Sequence, residues 1–215
     1  MAVSSTIARL TAISETFRRA RKPRFRLGPP LVFPNRRSIR KRTGGSVRVI
    51  GIDPGLTRTG YGVIERSSGG LVALGFGVVR TARDRPPAER LADLGAEIAA
   101  VIGEFRPEAA AVERLFFNSN VKTAMSVGQA SGVVLASAAR AGLEVATYTP
   151  TEVKQSVVGF GGATKDQIGS MVSALLGLAA APTPPDAADA CALAICHLNR
   201  SGLARAISRA EKEAG

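Results

Sequence analysis

From Val47 onward, short apolar runs alternate with longer periodic stretches. VRVIGID (Val47 to Asp53) is a mostly apolar run that ends on a carboxylate, and TGYGVIER (Thr59 to Arg66) and LVALGFGVVR (Leu71 to Arg80) follow, separated by the turn SSGG. Together they predict a three-strand meander with tight connections. PPAERLADLGAEIAAVIGEF opens on proline, carries acids early and sets Leu91, Leu94, Ile98 and Val101 on one face, which predicts an amphipathic helix. AAAVE (Ala109 to Glu113) reads as a short buried strand, again ending in an acid. A long helix rich in small residues, about Ser119 to Ala141, precedes the strand LEVATYT. Helical segments follow over Thr151 to Val158 and Lys165 to Leu178, then a Pro-rich break, APTPP, and a last long helix from about Asp186 to Leu198. A meander followed by alternating helix and strand implies an α/β domain: a mixed five-stranded sheet flanked by helices.

Charge changes the picture of the first residues. The chain carries a net charge of +12, but 13 of its 29 Lys/Arg and only one of its 17 Asp/Glu lie in residues 1–48, leaving 16 of each beyond. The folded part is thus formally neutral, and nucleic-acid binding by it needs a local patch or bound metal. Residues 1–46 are rich in Arg, Ser and Pro with no sustained period, which predicts a disordered basic extension. Three readings of it stand: a nucleic-acid-binding arm, an organelle transit peptide, or a misassigned start with translation beginning at Val47. Residues 47–203 then form one domain and 204–215 a C-terminal tail. No apolar run is free enough of Gly and polar residues to span a membrane, so a soluble, cytoplasmic bacterial protein is expected, or an organellar one if the extension is a transit peptide.

Candidate chemistry emerges by elimination. With His197 the only histidine, no Ser-His-Asp cluster is available. Cys191 and Cys196 lie about 140° apart around a helix, poor geometry for a disulfide or a zinc site. What remains is a set of carboxylates in unusual places. Asp53 and Glu113 both end buried strands at their C-terminal tips, where open α/β sheets bind ligands. DAAD (Asp186 to Asp189) puts two more acids on one helix face. If the two strands are adjacent and parallel, four acids meet and call for divalent cations such as Mg²⁺ or Mn²⁺. Each acid also has a plainer reading: Asp186 and Asp189 favour a helix N-terminus, Glu113 can pair with Arg114, and Asp53-Pro54-Gly55 is a good turn.

Lysines add a hint. Against 23 Arg there are only 6 Lys, and Lys122, Lys154 and Lys165 fall near loops and helix starts after Glu113, as phosphate contacts or as solvated charges. LFFNSN (Leu115 to Asn120) sets Phe116 and Phe117 just past Glu113, to wedge between bases if exposed or to join the core if buried. GFGGATK (Gly159 to Lys165) lacks the Gly-Lys-Ser/Thr order of a P-loop and reads as a flexible loop.

Taken together, GIDPGLTRTGYGVIE, VERLFFNSN, GQASGV, KQSVVGFGGATKDQ and DAADACALAICH resemble the RuvC family of Holliday-junction resolvases, in order, from Val47 to about Arg200. Residues 1–46 have no counterpart in that pattern. The resemblance implies an RNase H-like fold, a homodimer, and a structure-specific endonuclease that resolves four-way DNA junctions by paired symmetric nicks. It places the catalytic and metal-binding acids on Asp53, Glu113, Asp186 and Asp189, the DNA-contacting lysines on Lys154 and Lys165, and the junction-wedging aromatic on Phe116, with Phe117 in a looser part of the pattern. It further implies two Mg²⁺ per subunit, roughly 3.5 to 4 Å apart, replaceable by Mn²⁺, a 5′-phosphate product, and partnership with the branch-migration complex of RuvA and RuvB. Two rivals differ in class. An actin-like or sugar-kinase-type nucleotide-binding protein fits Asp53-Pro54-Gly55 loosely but needs two such domains, and a non-catalytic junction-binding module has no use for four acids.

Overall fold

The computed structural model describes residues 46–114 and 121–214, with side chains described to residue 202 except at 121–123. Five strands form one sheet: β1 (Val47–Asp53), β2 (Arg58–Ser67), β3 (Gly70–Arg80), β4 (Ala109–Glu113) and β5 (Glu144–Tyr148). Their spatial order is β3-β2-β1-β4-β5, antiparallel across β3-β2-β1 and parallel across β1-β4-β5. The meander is antiparallel because its connections are too short for anything else, while β4 and β5 return through helices and run parallel. The expected mixed sheet is present.

Among the described residues five helices cover it: α1 (Pro87–Phe105), α2 (Val121–Arg140), α3 (Pro150–Val158), α4 (Lys165–Leu176) and α5 (Pro185–Ala214). On one face, Ile50, Ile52, Tyr61, Val63, Leu74 and Val112 pack against Leu94, Ile98 and Phe105 of α1 and Ala130, Val134 and Ala138 of α2. On the other, Val49, Ile64, Ala109 and Ala111 meet α3, α4 and the apolar side of α5. Strands β1 and β4 are buried on both faces, so they read as apolar runs with no alternation. Among the described residues, no helix is long and apolar enough to cross a membrane.

The last helix departs from expectation: it runs to Ala214 rather than ending near Leu198, so residues 204–214 are helical and not a separate tail. Ala, Leu, Arg, Glu and Lys dominate that stretch and favour helix without an apolar stripe to reveal it. Cys191, Cys196 and His197 occupy buried positions in α5, both cysteines free, and His197 Nδ1 shares a 2.9 Å hydrogen bond with the Tyr148 hydroxyl. All three serve the packing of α5.

Helix α3 starts with a capping box in which Thr149 Oγ1 accepts from Glu152 N and Glu152 accepts from Thr149 N. Arg200 of α5 donates to the same carboxylate at 2.7 Å. The Thr149 backbone N–H, followed by the Arg200 guanidinium, holds the Glu152 carboxyl down to about 2. A carboxyl depressed below its ordinary 4.5 stabilises the fold above that pH and loses the contribution as pH falls toward 2. Glu152→Gln keeps a capping side chain, so only the charge is removed. At pH 7 it is expected to cost about 0.5–1 kcal/mol, an exposed pair being well screened. Urea midpoints of the two proteins should converge between pH 4.5 and 2.5.

Candidate active site

The pairing of β1 with β4 decides where the first two acids stand. Ile52 is opposite Val112 in parallel register, so Asp53 and Glu113 are the next residues out on neighbouring strands. Parallel neighbours lie about 4.8 Å apart, and both acids share the sheet face that carries α5. Beyond Asp53 the chain makes a braced turn. Thr59 Oγ1 donates to Gly55 O at 2.7 Å and accepts from Gly55 N at 3.2 Å, and the Thr81 hydroxyl donates to Leu56 O. Buried Arg90 of α1 donates to Thr81 Oγ1 at 2.9 Å and to Thr57 Oγ1 at 2.8 Å. The turn therefore leaves the sheet edge open without being loose.

Three glycines bring the other two acids in. Gly51 is paired with Gly62 across β1 and β2, and Asp53 with Gly60. A Cβ on Gly60 would stand 2.0 Å from Asp186 O, one on Gly51 1.9 Å from Ala190 O, and one on Gly62 2.6 Å from Cys191 Sγ. Helix α5 thus lies backbone against sheet along a glycine track. Its N-terminal end, with Asp186 in the first turn and Asp189 just after it, is set directly beside Asp53.

The electrostatics follow from crowding. Asp53 is largely buried beside Glu113; burial first, then the charge of Glu113, a hydrogen bond to it and the charges of Asp189 and Asp186 push its carboxyl far above the ordinary carboxylate range. Burial, then Asp189, also raises Glu113, against the Asp53 hydrogen bond and the Lys165 charge, which lower it. Two cations flank the pair from outside: Arg58 at the start of β2 ion-pairs with Asp186, and Lys165 Nζ at the head of α4 lies 3.0 Å from Asp189 Oδ2. The Lys165 ammonium is raised mainly by that contact. Among the described residues no three donors form a ready-made metal cage. The acids are engaged with each other or with these cations. The donor set is nevertheless all carboxylate oxygen, hard and anionic, which suits Mg²⁺ or Mn²⁺.

The family model of the crossover junction endodeoxyribonuclease RuvC matches residues 49–197. The chain belongs to the RuvC family. It is 52% identical over 149 residues to the crossover junction endodeoxyribonuclease RuvC of Moorella thermoacetica, covering 69% of this chain and 89% of that protein. Against the Syntrophomonas wolfei RuvC it is 44% identical over 169 residues, 79% of this chain and 98% of the relative. Its fold is similar to that of Thermus thermophilus RuvC, with a TM-score of 0.69 at 39% identity, over 74% of this chain and 97% of that one. It is equally similar to T. thermophilus RuvC in complex with Holliday junction substrate, with a TM-score of 0.70 at 40% identity, over 74% and 96%. The fold is the RNase H-like one of RuvC, and the family is one of metal-dependent nucleases.

Within this RuvC-family fold the expected site residues fare differently. Asp53, Glu113, Asp186 and Asp189 come together, and Lys165 joins them. Two of the plainer readings also hold: Asp186 stands in the first turn of α5, and the chain turns just after Asp53. The third does not, since Arg114 turns its guanidinium to Thr147, with Nη2 3.3 Å from Oγ1. Lys154 sits half-buried on α3, apart from the acid contacts. Lys122 falls in the first turn of α2, where side chains are not described, and Phe116 and Phe117 lie outside the described residues. Sequence reasoning missed Arg58 and the glycine track. Arg58 leaves no local signal, since its partner is 128 residues away. The glycines do leave one: Gly51, Gly60 and Gly62 interrupt strand runs, a mark of close backbone approach.

Proposed function

We propose that this chain resolves four-way DNA junctions by hydrolysing one phosphodiester in each of two opposed strands, with Asp53, Glu113, Asp186 and Asp189 as catalytic metal ligands. The observation that carries this reading is the convergence of the four carboxylates at the open C-terminal edge of β1 and β4, in a register and on a helix that admit few other uses. Bound divalent cations, two Mg²⁺ per subunit with Mn²⁺ able to substitute, would supply the Lewis acidity that activates water and stabilises the leaving 3′ oxygen.

The chain's own residues do the rest. Asp53 and Glu113 are held rigidly by buried strands, so little reorganisation is needed for them to act as ligands. Asp186 and Asp189, which pair with Arg58 and Lys165, would hold the cations together with Asp53 and Glu113, and the two basic side chains would then be free to meet phosphate oxygens. Lys154 and, from the head of α2, Lys122 extend the basic path along the strand, and Phe116 enters the junction as a wedge. A homodimer presents two such sites about a two-fold axis, which suits paired nicks in strands of like polarity. RuvA and RuvB are the partners that family membership suggests.

The test is the purified protein on a synthetic four-way junction with Mg²⁺. Paired nicks that a ligase seals, with linear duplex of the same sequence left intact, are the expected result; equal cutting of both substrates, or none, would end the proposal. A second measurement concerns Arg58. Arg58→Gln removes a cation that competes for Asp186, so calorimetric titration with Mn²⁺ alone is expected to show binding about threefold tighter, the size of a modest charge effect at a partly exposed site. Unchanged Mn²⁺ affinity would mean that Arg58 is a surface charge only.

A further inference from the structure

The loop between α3 and α4 carries a feature that the four acids do not explain. Phe160 is 65% exposed, the only aromatic among the exposed large apolar side chains of the described residues, which otherwise comprise Val72, Met125 and Leu175. A single exposed apolar side chain is ordinary. This one is held out by a braced turn.

Gly159 closes α3 with φ 79°, its N–H donating to Gln155 O at 3.0 Å, and Gln155 Nε2 donates back to Gly159 O at 2.8 Å. Ala163 N donates to Phe160 O at 3.2 Å, and Ala163 itself is buried. A Cβ at Gly162 would stand 2.6 Å from the tip of the Phe160 ring, so the ring rests on bare backbone. The expected flexible loop is thus a compact platform. Glycine at 162 leaves space for the ring, and most of the ring's surface faces solvent.

Position gives the platform its meaning. Lys154 precedes Phe160 by six residues, and Lys165 follows by five. Lys165 touches Asp189, and five residues span at most about 17 Å, so the backbone at Phe160 lies within that distance of the backbone at Lys165, on the same side of the domain as the acids. An aromatic ring between two lysines, of which Lys165 touches the acids, matches a binding surface for single or unpaired bases, where cations track the backbone and rings stack.

We propose that Phe160 stacks on a base of the junction strand led into the active site, as a DNA contact separate from the Phe116 wedge. This rests on the junction-nuclease reading. The stacking adds affinity without adding charge, and it favours bases at that step that unstack readily.

The chain contains no tryptophan, so Phe160→Trp introduces a single indole reporter. In an Asp53→Asn background, which leaves the junction uncut, its emission is expected to fall at least about twofold on a synthetic four-way junction and far less on linear duplex. In the Asp53 protein, Phe160→Ala is expected to weaken junction binding about 5- to 20-fold with an unchanged slope of log K against log salt, since no phosphate contact is lost. Phe160→Leu should fall between Ala and the parent. Two results would overturn the stacking role and leave the nuclease reading intact: indole emission unchanged on a junction that a mobility shift shows to be bound, or Phe160→Ala binding within twofold of the parent. Emission that changes with protein concentration alone would mark a contact between copies and also overturn it. A parent protein that cuts no junction would remove both readings together.

Discussion

Asp53→Asn is expected to abolish junction cleavage while making the protein more stable. The catalytic loss should be at least about 10³-fold, because several kcal/mol of charge stabilisation depend on this ligand set and each 1.4 kcal/mol is tenfold. Junction binding should stay within a few-fold, since Lys154 and Lys165 are untouched. The stability gain has its own origin. The Asp53 carboxyl is pushed up to about 8, against an ordinary 3.8, by burial and by the acids around it. A carboxyl raised in the folded state is a growing penalty as pH climbs from about 4 to 8, because the unfolded chain releases that proton readily and the folded one does not. Asparagine has no proton to release and can still hydrogen-bond Glu113. In chelator, Asp53→Asn is expected to raise Tm by about 5 °C at pH 8, on the order of 2 kcal/mol, and by little at pH 4.5. Thermal unfolding across that range checks both the size and the sign. Equal Tm values at pH 8 would mean that Asp53 carries no burial penalty.

Gly51→Ala is expected to be the most damaging single methyl in the domain. Its Cβ would stand 1.9 Å from Ala190 O and 2.7 Å from Ala194 N. Both are backbone atoms of α5, so no side-chain rotation relieves the clash; either the helix lifts from the sheet or the fold is lost. A cost of about 3 kcal/mol is expected, near 10 °C in Tm for a domain of this size. Cleavage should fall further than stability does, because lifting α5 withdraws Asp186 and Asp189 from Asp53. Gly103→Ala is the contrast. Gly103 lies in α1 with open space around it, and alanine there should stabilise by about 0.5–1 kcal/mol through helix propensity. If Gly51→Ala behaved like Gly103→Ala, the glycine track would have no role.

These two residues also mark how far the site can be read from the chain. Asp53 is legible because a carboxylate at the end of an apolar run is chemically out of place wherever it is met. Glu113 is legible on the same ground, the Asp186/Asp189 pair by its spacing on one helix face, and motif order ties all four to one family. The Arg58–Asp186 pair is not legible, since it joins positions 128 residues apart and ion pairs leave no periodicity. Phe160 was visible only as part of a glycine-rich loop, because exposure is a property of the packed chain. The length of α5 was missed for a related reason: beyond Leu198 its residues favour helix, but with no apolar stripe to reveal it.

The sequence by itself determined the five strands, the order of helices and the neutrality of the folded part, and marked the four acids as candidates. These follow from local propensity, hydrophobic period and the cost of placing charge beside an apolar strand, all short-range quantities. Only the tertiary structure decided that Ile52 pairs with Val112, so that Asp53 and Glu113 share an edge, and that α5 lies on Gly51, Gly60 and Gly62 closely enough to complete the set. Register and close approach depend on contacts between residues distant along the chain, and those become definite only when the whole core packs.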